Sequence, residues 1–120
     1  MTYSIGEFAK LVGLSIDTLR YYEKEDLITP ARNAGDRRVY SDADAHWIAV
    51  IKRLKLAGMS IRDIQLYAHL RAEGDETIDQ RLTLLLSQQK RLLAKRDELD
   101  GHIAFLENKI QTYRNLQQRK

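Results

Sequence analysis

The chain has 120 residues, no cysteine and a formal net charge of +3, enough for one small domain and an appendage. The absence of cysteine excludes a disulfide framework and a thiolate metal site; the start MTYSIGEF lacks a signal pattern and no apolar run reaches membrane-spanning length, so a soluble cytoplasmic protein is expected. Global charge points only weakly to nucleic acid, because residues 1–76 carry 11 Lys/Arg against 12 Asp/Glu and residues 77–120 carry 9 against 5; the local cluster Arg32, Arg37 and Arg38 is more informative, since phosphate affinity depends on close-set cations.

In chain order, Ser4 and Glu7 have capping-box spacing ahead of the apolar stripe Ile5, Phe8, Ala9 and Val12, and Gly13 follows as a stop. Ser15 then caps a second short helix, SIDTLRYYE, with Ile16 and Leu19 on one face and Asp17, Thr18, Arg20, Tyr21 and Lys24 projecting elsewhere. Two such helices separated by about three residues read either as a helix-turn-helix or as an ordinary helical hairpin. Pro30, the only proline, ends helical continuation. From Arg32 to Tyr40, the turn formers Asn33, Gly35 and Asp36 lead into Val39 and Tyr40, which predicts a β-hairpin wing or a mobile basic loop. Ser41 with Asp44 opens a third helix carrying Trp47, Ile48, Ile51 and Leu54 towards a core, closed by Gly58. Ser60 with Asp63 opens a fourth, with Ile61, Ile64 and Ala68 on one face and Tyr67 beside them, interrupted at Gly74 and Asp75.

Thr77 and Gln80 form a further predicted capping box, after which positions 78, 82, 85, 89, 92, 96, 99, 103, 106, 110, 113 and 117 repeat in steps of four and three. Nine of the twelve are Ile, Leu or Tyr (Ile78, Leu82, Leu85, Leu92, Leu99, Ile103, Leu106, Ile110 and Tyr113); Gln89, Arg96 and Gln117 are the exceptions. One helix cannot bury such a heptad seam by itself, and at about 1.5 Å per residue it extends on the order of 60 Å. A partner helix is expected, the alternative being a long helix folded back on the first domain. His46, His69 and His102 are dispersed, no Gly-rich phosphate loop follows a strand, and no Ser-His-acid grouping is present; neither catalysis nor a metal or cofactor site is expected.

The run TLRYYEKEDLI, followed by GDRRVYSDADAHWIAVIKRLKLAGMSIRDI, resembles the MerR family of bacterial transcriptional regulators over residues 3 to about 70, and the heptad tail fits the family's design. The resemblance implies a mainly α chain: a winged helix-turn-helix DNA-binding domain at 1–75 (helix-turn-helix about 4–23, wing about 28–40, second helix pair about 42–73), then an antiparallel coiled-coil dimerisation helix at 76–120. It implies a homodimer that binds a palindromic promoter operator in double-stranded DNA, bends and untwists it, and works with RNA polymerase. By resemblance, the DNA-binding set is Ser15, Thr18, Arg20, Tyr21 and Tyr22 on the second helix, Arg37, Arg38 and Tyr40 on the wing, and Ser60 and Arg62 at the start of the fourth helix. The nine apolar seam residues are the dimerisation set. Of the two adjacent tyrosines, one is expected at DNA and the other in the core, with Leu19, Phe8 and Trp47. Two further readings stay open: a coiled-coil adaptor for a protein partner, which does not need Arg20, the tyrosines and the basic wing together, and an excisionase-like architectural DNA binder, which leaves the long tail unexplained.

The segments DAHWIAVIKRLKLAGMSIRDI and AEGDETIDQR look most like the family's aldehyde- and electrophile-responsive branch. Members of that branch commonly carry a cysteine in the third helix where this chain has Arg53, so the resemblance implies that any switch here is thiol-independent. Arg53 and Tyr67 are the candidate effector residues, and the tail leaves no room for a separate ligand domain.

Overall fold

Each helix of the N-terminal region begins where a serine hydroxyl takes over free backbone N–H groups. In the computed structural model, which describes residues 1–119, strand β1 (Thr2–Tyr3) leads to α1 (Ile5–Val12) and α2 (Ile16–Lys24). Strands β2 (Ala31–Arg32) and β3 (Arg38–Ser41) precede α3 (Asp42–Leu56) and α4 (Ile61–Glu73). A 3-10 turn at Asp75–Thr77 then runs into α5 (Ile78–Gln118). The Ser4–Glu7 and Ser41–Asp44 boxes form reciprocally, and Ser15 and Ser60 accept from the N–H groups of Thr18 and Asp63. Each such cap stabilises its helix by about 1 kcal/mol.

The helix ends are equally regular. Beyond α1, α2 and α3, the N–H groups of Leu14, Leu27 and Met59 return to the carbonyls of Ala9, Tyr22 and Leu54, each five residues back, the 6→1 bond of the Schellman turn. Gly13 (φ 71°) and Gly58 (φ 82°) supply the left-handed residue in two of these turns, but in the middle one it is Asp26 (φ 58°). Helix α2 therefore stops well before Pro30, the predicted terminator, because the chain has already turned at Asp26. Pro30 is buried in the connection to the wing.

Two details differ from the sequence expectation. The wing hairpin forms, with Ala31 opposite Val39 and Arg32 opposite Arg38, but β3 also pairs with β1, placing Tyr3 opposite Tyr40 and making a three-stranded antiparallel sheet in the order β1-β3-β2. A two-residue strand has no periodicity to detect, so β1 is invisible in the sequence. At the start of α5, the Thr77 hydroxyl does not cap: it donates to the carbonyls of Leu70 (2.5 Å) and Gly74 (2.8 Å) and is buried. The 3-10 turn feeds directly into the helix, so the N–H groups a cap would serve already have carbonyls upstream.

The chain divides into two compact units, Met1–Leu84 and the residues from Leu85 onward. In the first, Phe8, Leu19, Ile51 and Ile64 are completely covered, with Tyr22, Leu27, Tyr40, Trp47 and Ile48 around them; full burial of each large apolar side chain stabilises by about 1.5–3 kcal/mol. Tyr40 stacks on Phe8 at 4.3 Å between ring centroids, 8° from parallel. Trp47 is pinned on three sides: its indole N–H donates to the Leu27 carbonyl (2.8 Å), the Tyr67 ring stacks on it at 5.8 Å, and the Arg71 guanidinium lies 4.4 Å from its ring centroid. The second unit comprises α5 from Leu85 onward, and of its side chains among the described residues only Gln88 is buried. No helix among the described residues is long and apolar enough to cross a membrane.

Candidate nucleic-acid interface

The caps and the core together decide which face of α2 meets solvent. Leu19 and Tyr22, three residues apart, are buried at 0% and 2% exposure. That commits the opposite arc, Asp17, Arg20, Tyr21 and Lys24, to solvent; all four are exposed and share one face by their i, i+3, i+4, i+7 spacing. Ser15 Oγ accepts from the Thr18 N–H at 3.0 Å and lies 2.8 Å from Thr18 Oγ1, so those two hydroxyls form one polar corner at the helix N-terminus. There the free N–H groups favour an anion such as phosphate.

The adjacent tyrosines separate cleanly. Tyr21 is exposed at 45%. Tyr22 lies in the core, its hydroxyl 3.4 Å from Lys55 Nζ and its ring under the same ammonium at 5.3 Å. Its place in the expected DNA-contact set is thereby corrected: a phenol 2% exposed on the Leu19 side of the helix has no route to a groove. Tyr40 is corrected for the same reason, since it is 1% exposed and stacked on Phe8. Burial raises its pKa, with the Glu23 carboxylate adding to the shift. Among the described residues its hydroxyl has no hydrogen-bond partner.

The wing is tied by Asn33, whose Oδ1 accepts from the N–H groups of Gly35 (2.9 Å) and Arg37 (3.1 Å), while its own N–H donates to the Arg37 carbonyl. The left-handed residue of the turn is Asp36 (φ 59°) rather than Gly35; a short polar side chain tolerates that conformation. Arg37 projects exposed from this turn and makes no ion pair among the described residues. Arg32 and Arg38 behave differently. Arg38 Nε donates to Glu23 Oε1 (2.5 Å), and Arg32 Nη2 lies 3.5 Å from Glu23 Oε2 while its Nη1 donates to the Asp36 carbonyl. The hydrogen bond that Arg38 donates to Glu23 raises the pKa of Arg38 further, so that it stays charged. With side chains 26–41% exposed, each pair contributes on the order of 1 kcal/mol or less; its consequence is positional. Glu23 was absent from the sequence-based site because no spacing rule links a helix to a strand fifteen residues on.

Ser60 and Arg62 are exposed at the start of α4, where buried Met59 and Ile64 anchor the turn. The two candidate effector residues do different things: Tyr67 is half-buried under Trp47, while Arg53 is exposed on α3 beside Ala49, and no hydrogen bond or ring contact joins them among the described residues. On α5, all nine apolar seam residues are exposed, from 37% at Leu85 to 66% at Tyr113. Leu86, Leu93, Phe105 and Leu116 add exposed apolar surface outside the seam. Among the described residues no group of three or more His, Asp or Glu could hold a metal ion.

A capped helix pair, an Arg-bearing hairpin packed against its second helix and a second capped helix pair define a winged helix-turn-helix of the DNA-binding type. Residues 3–70 match the family model described as MerR HTH family regulatory protein. The chain belongs to the MerR family of helix-turn-helix transcriptional regulators. It is 36% identical over 114 residues to an uncharacterized HTH-type transcriptional regulator of Haemophilus influenzae, covering 94% of this chain and 84% of the relative. It is 40% identical over 91 residues to the HTH-type transcriptional regulator AdhR of Bacillus subtilis, covering 75% and 65%. Among solved structures, HiNmlR, a MerR family regulator lacking the sensor domain and bound to promoter DNA, superposes with a TM-score of 0.76 at 35% identity, covering 96% of this chain and 92% of that one. A MerR-family transcriptional regulator from Bacillus thuringiensis gives 0.71 at 32%, covering 92% and 97%.

Proposed function

We propose that this regulator works as a homodimer, paired along α5, that grips a palindromic promoter operator with two heads and bends and untwists the DNA between them. Residues 1–75 read the DNA and residues 76–120 pair. The observation that carries the reading is the exposed arc of α2, with Arg20 and Tyr21 on it, beside the free Arg37 of the wing: a base-reading surface next to a backbone-gripping one. Arg20 is placed at base edges in the major groove, where its guanidinium can contact guanine bidentately. Ser15 and Thr18 lie at the groove rim; Arg37, Ser60 and Arg62 meet phosphate on the flanks. A structural relative bound to promoter DNA supports DNA as the partner of this surface. Bending costs about 1–10 kcal/mol, recovered from the flanking phosphate contacts.

By family resemblance the distorted promoter is presented to RNA polymerase, and the protein works in the cytoplasm. Its relatives are transcriptional regulators, which fits binding and deformation rather than catalysis. Regulation through the Arg53 position is thiol-independent, because none of the 120 residues is cysteine.

The test is selection of duplexes from a random-sequence pool, followed by gel-shift titration of Arg20→Ala and Arg37→Ala. Arg37→Ala should weaken every duplex alike and reduce the salt slope by about one; Arg20→Ala should also relax base preference by about 1–3 kcal/mol at one position per half-site. Equal losses on every sequence for both variants would remove the division of labour.

A further inference from the structure

The wing carries three arginines in seven positions, yet the fold leaves only one of them free. Glu23 reaches from the last turn of α2 to Arg38 on β3 and Arg32 on β2, at 2.5 Å and 3.5 Å. It occupies the row of Leu19, four residues earlier on the helix, so its carboxylate points to the head and not along the arc of Arg20 and Tyr21. The strand register sets Arg32 directly opposite Arg38, an arrangement in which two like charges repel; a single carboxylate between them relieves it. The strand bearing Arg38 is itself fixed, because Tyr40 two residues on is buried against Phe8. The Asp36 carbonyl holds Arg32 from the other side.

We propose that Glu23 is a specificity-determining residue: by holding Arg32 and Arg38 against the recognition helix, it withholds two cations from the DNA backbone and leaves Arg37 as the wing's phosphate contact. The role rests on the DNA-binding reading given above and deepens it. Affinity for arbitrary DNA comes almost wholly from phosphates neutralised and counterions released, whereas selectivity is the ratio of specific to arbitrary binding. Pairing two wing cations internally lowers the denominator of that ratio without touching a base contact, a restraint against the wrong partner rather than an attraction to the right one. The same carboxylate fixes the wing to the helix that reads bases, so the phosphate contact of Arg37 stays in register with Arg20.

The test uses the full chain, a duplex enriched by the wild type from a random pool and a scrambled duplex of equal length, each titrated across a salt series, with thermal melting run on every variant. Glu23→Gln keeps the side-chain shape and removes the charge. It should tighten binding to the scrambled duplex by roughly 10-fold at low salt and steepen its salt slope by about one to two phosphates, while binding to the enriched duplex changes less than about threefold, so that discrimination falls. The double variant Glu23→Gln/Arg38→Gln should return about one phosphate of that slope. As a check independent of Glu23 variants, Arg38→Gln alone should leave the scrambled-duplex slope nearly unchanged, whereas Arg37→Gln lowers it by about one. A merely structural role for Glu23 predicts a lower melting temperature with unchanged slopes, and that result overturns the proposal. So does an Arg38→Gln variant that loses a full phosphate contact. A pool from which the wild type enriches nothing would remove the regulator reading and this role with it; enrichment followed by equal loss on both duplexes in Glu23→Gln would remove this role alone.

Discussion

In the head, Phe8, Leu19 and Ile51 are fully covered by neighbours from the same chain; on α5, Leu99, Ile103 and Leu106 are 59%, 46% and 56% exposed. Both regions repeat apolar residues at helical spacing. They differ in what completes them. The head has four helices and a sheet to cover each stripe, and its caps and Schellman turns break the chain into pieces short enough to fold over one another. From Ile78 to Gln118 the chain runs as one helix, and a long straight helix cannot turn back on its own apolar face. Its seam requires apolar surface from outside that helix. On the pairing proposed above, stability in one region is a property of the chain and in the other a property of chain concentration.

The largest effect should come from attacking the seam midway along α5. Leu99→Lys/Leu106→Lys places four cations in a dimer interface and should yield monomers by sedimentation. Uncoupling the two reading heads then costs about 10²–10⁴-fold in operator affinity by gel shift. A wild type that sediments as a monomer at micromolar concentration would break the comparison outright. A smaller but still large effect separates the two kinds of stability: Phe8→Ala should cost about 3–5 kcal/mol through its cavity and the lost stack on Tyr40. That loss, read by thermal melting, should be the same at every protein concentration, whereas the shift produced by Leu106→Ala should shrink as concentration rises.

The smallest effect sharpens the head alone. Glu7 accepts from the Ser4 N–H, and that backbone hydrogen bond, with the Ser4 side chain assisting, holds its carboxyl below the ordinary value. A folded pKa below the unfolded one gives stability that is present above the unfolded value and lost as pH falls through the folded one. Replacing Glu7 by Gln should therefore flatten the acid limb of the melting curve between about pH 5 and pH 3, with no change in dimerisation at neutral pH.

What was legible in the sequence was local. Ser4, Ser15, Ser41 and Ser60 each announce a helix start through chemistry confined to four residues, and the heptad of α5 is a pure periodicity. What was illegible was set by contacts distant along the chain. Strand β1 exists because Tyr3 finds Tyr40 across the sheet, with its hydroxyl donating to Asp42 Oδ1 at 2.7 Å. Tyr21 and Tyr22 are identical in type and adjacent, and only the place of Leu19 in the buried core decides which one turns inward. Arg37 and Arg38 are likewise indistinguishable as residues; Glu23 tells them apart. Thr77 has the right spacing for a cap, but the carbonyls of Leu70 and Gly74 compete for the same hydroxyl and win.

Trp47 is the chain's single tryptophan, and its indole is fastened to the Leu27 carbonyl after α2, to the Tyr67 ring on α4 and, by its own backbone, to α3. One intrinsic fluorophore thus sits at the junction of the reading helix's exit and both helices of the second pair. Its emission reports the integrity of that junction without a label: water reaching the indole shifts the spectrum to the red, and movement of Tyr67 or Arg71 changes the quenching. A DNA-induced adjustment of the head becomes optically visible at one known place, while α5, which carries no tryptophan, contributes nothing to the indole emission.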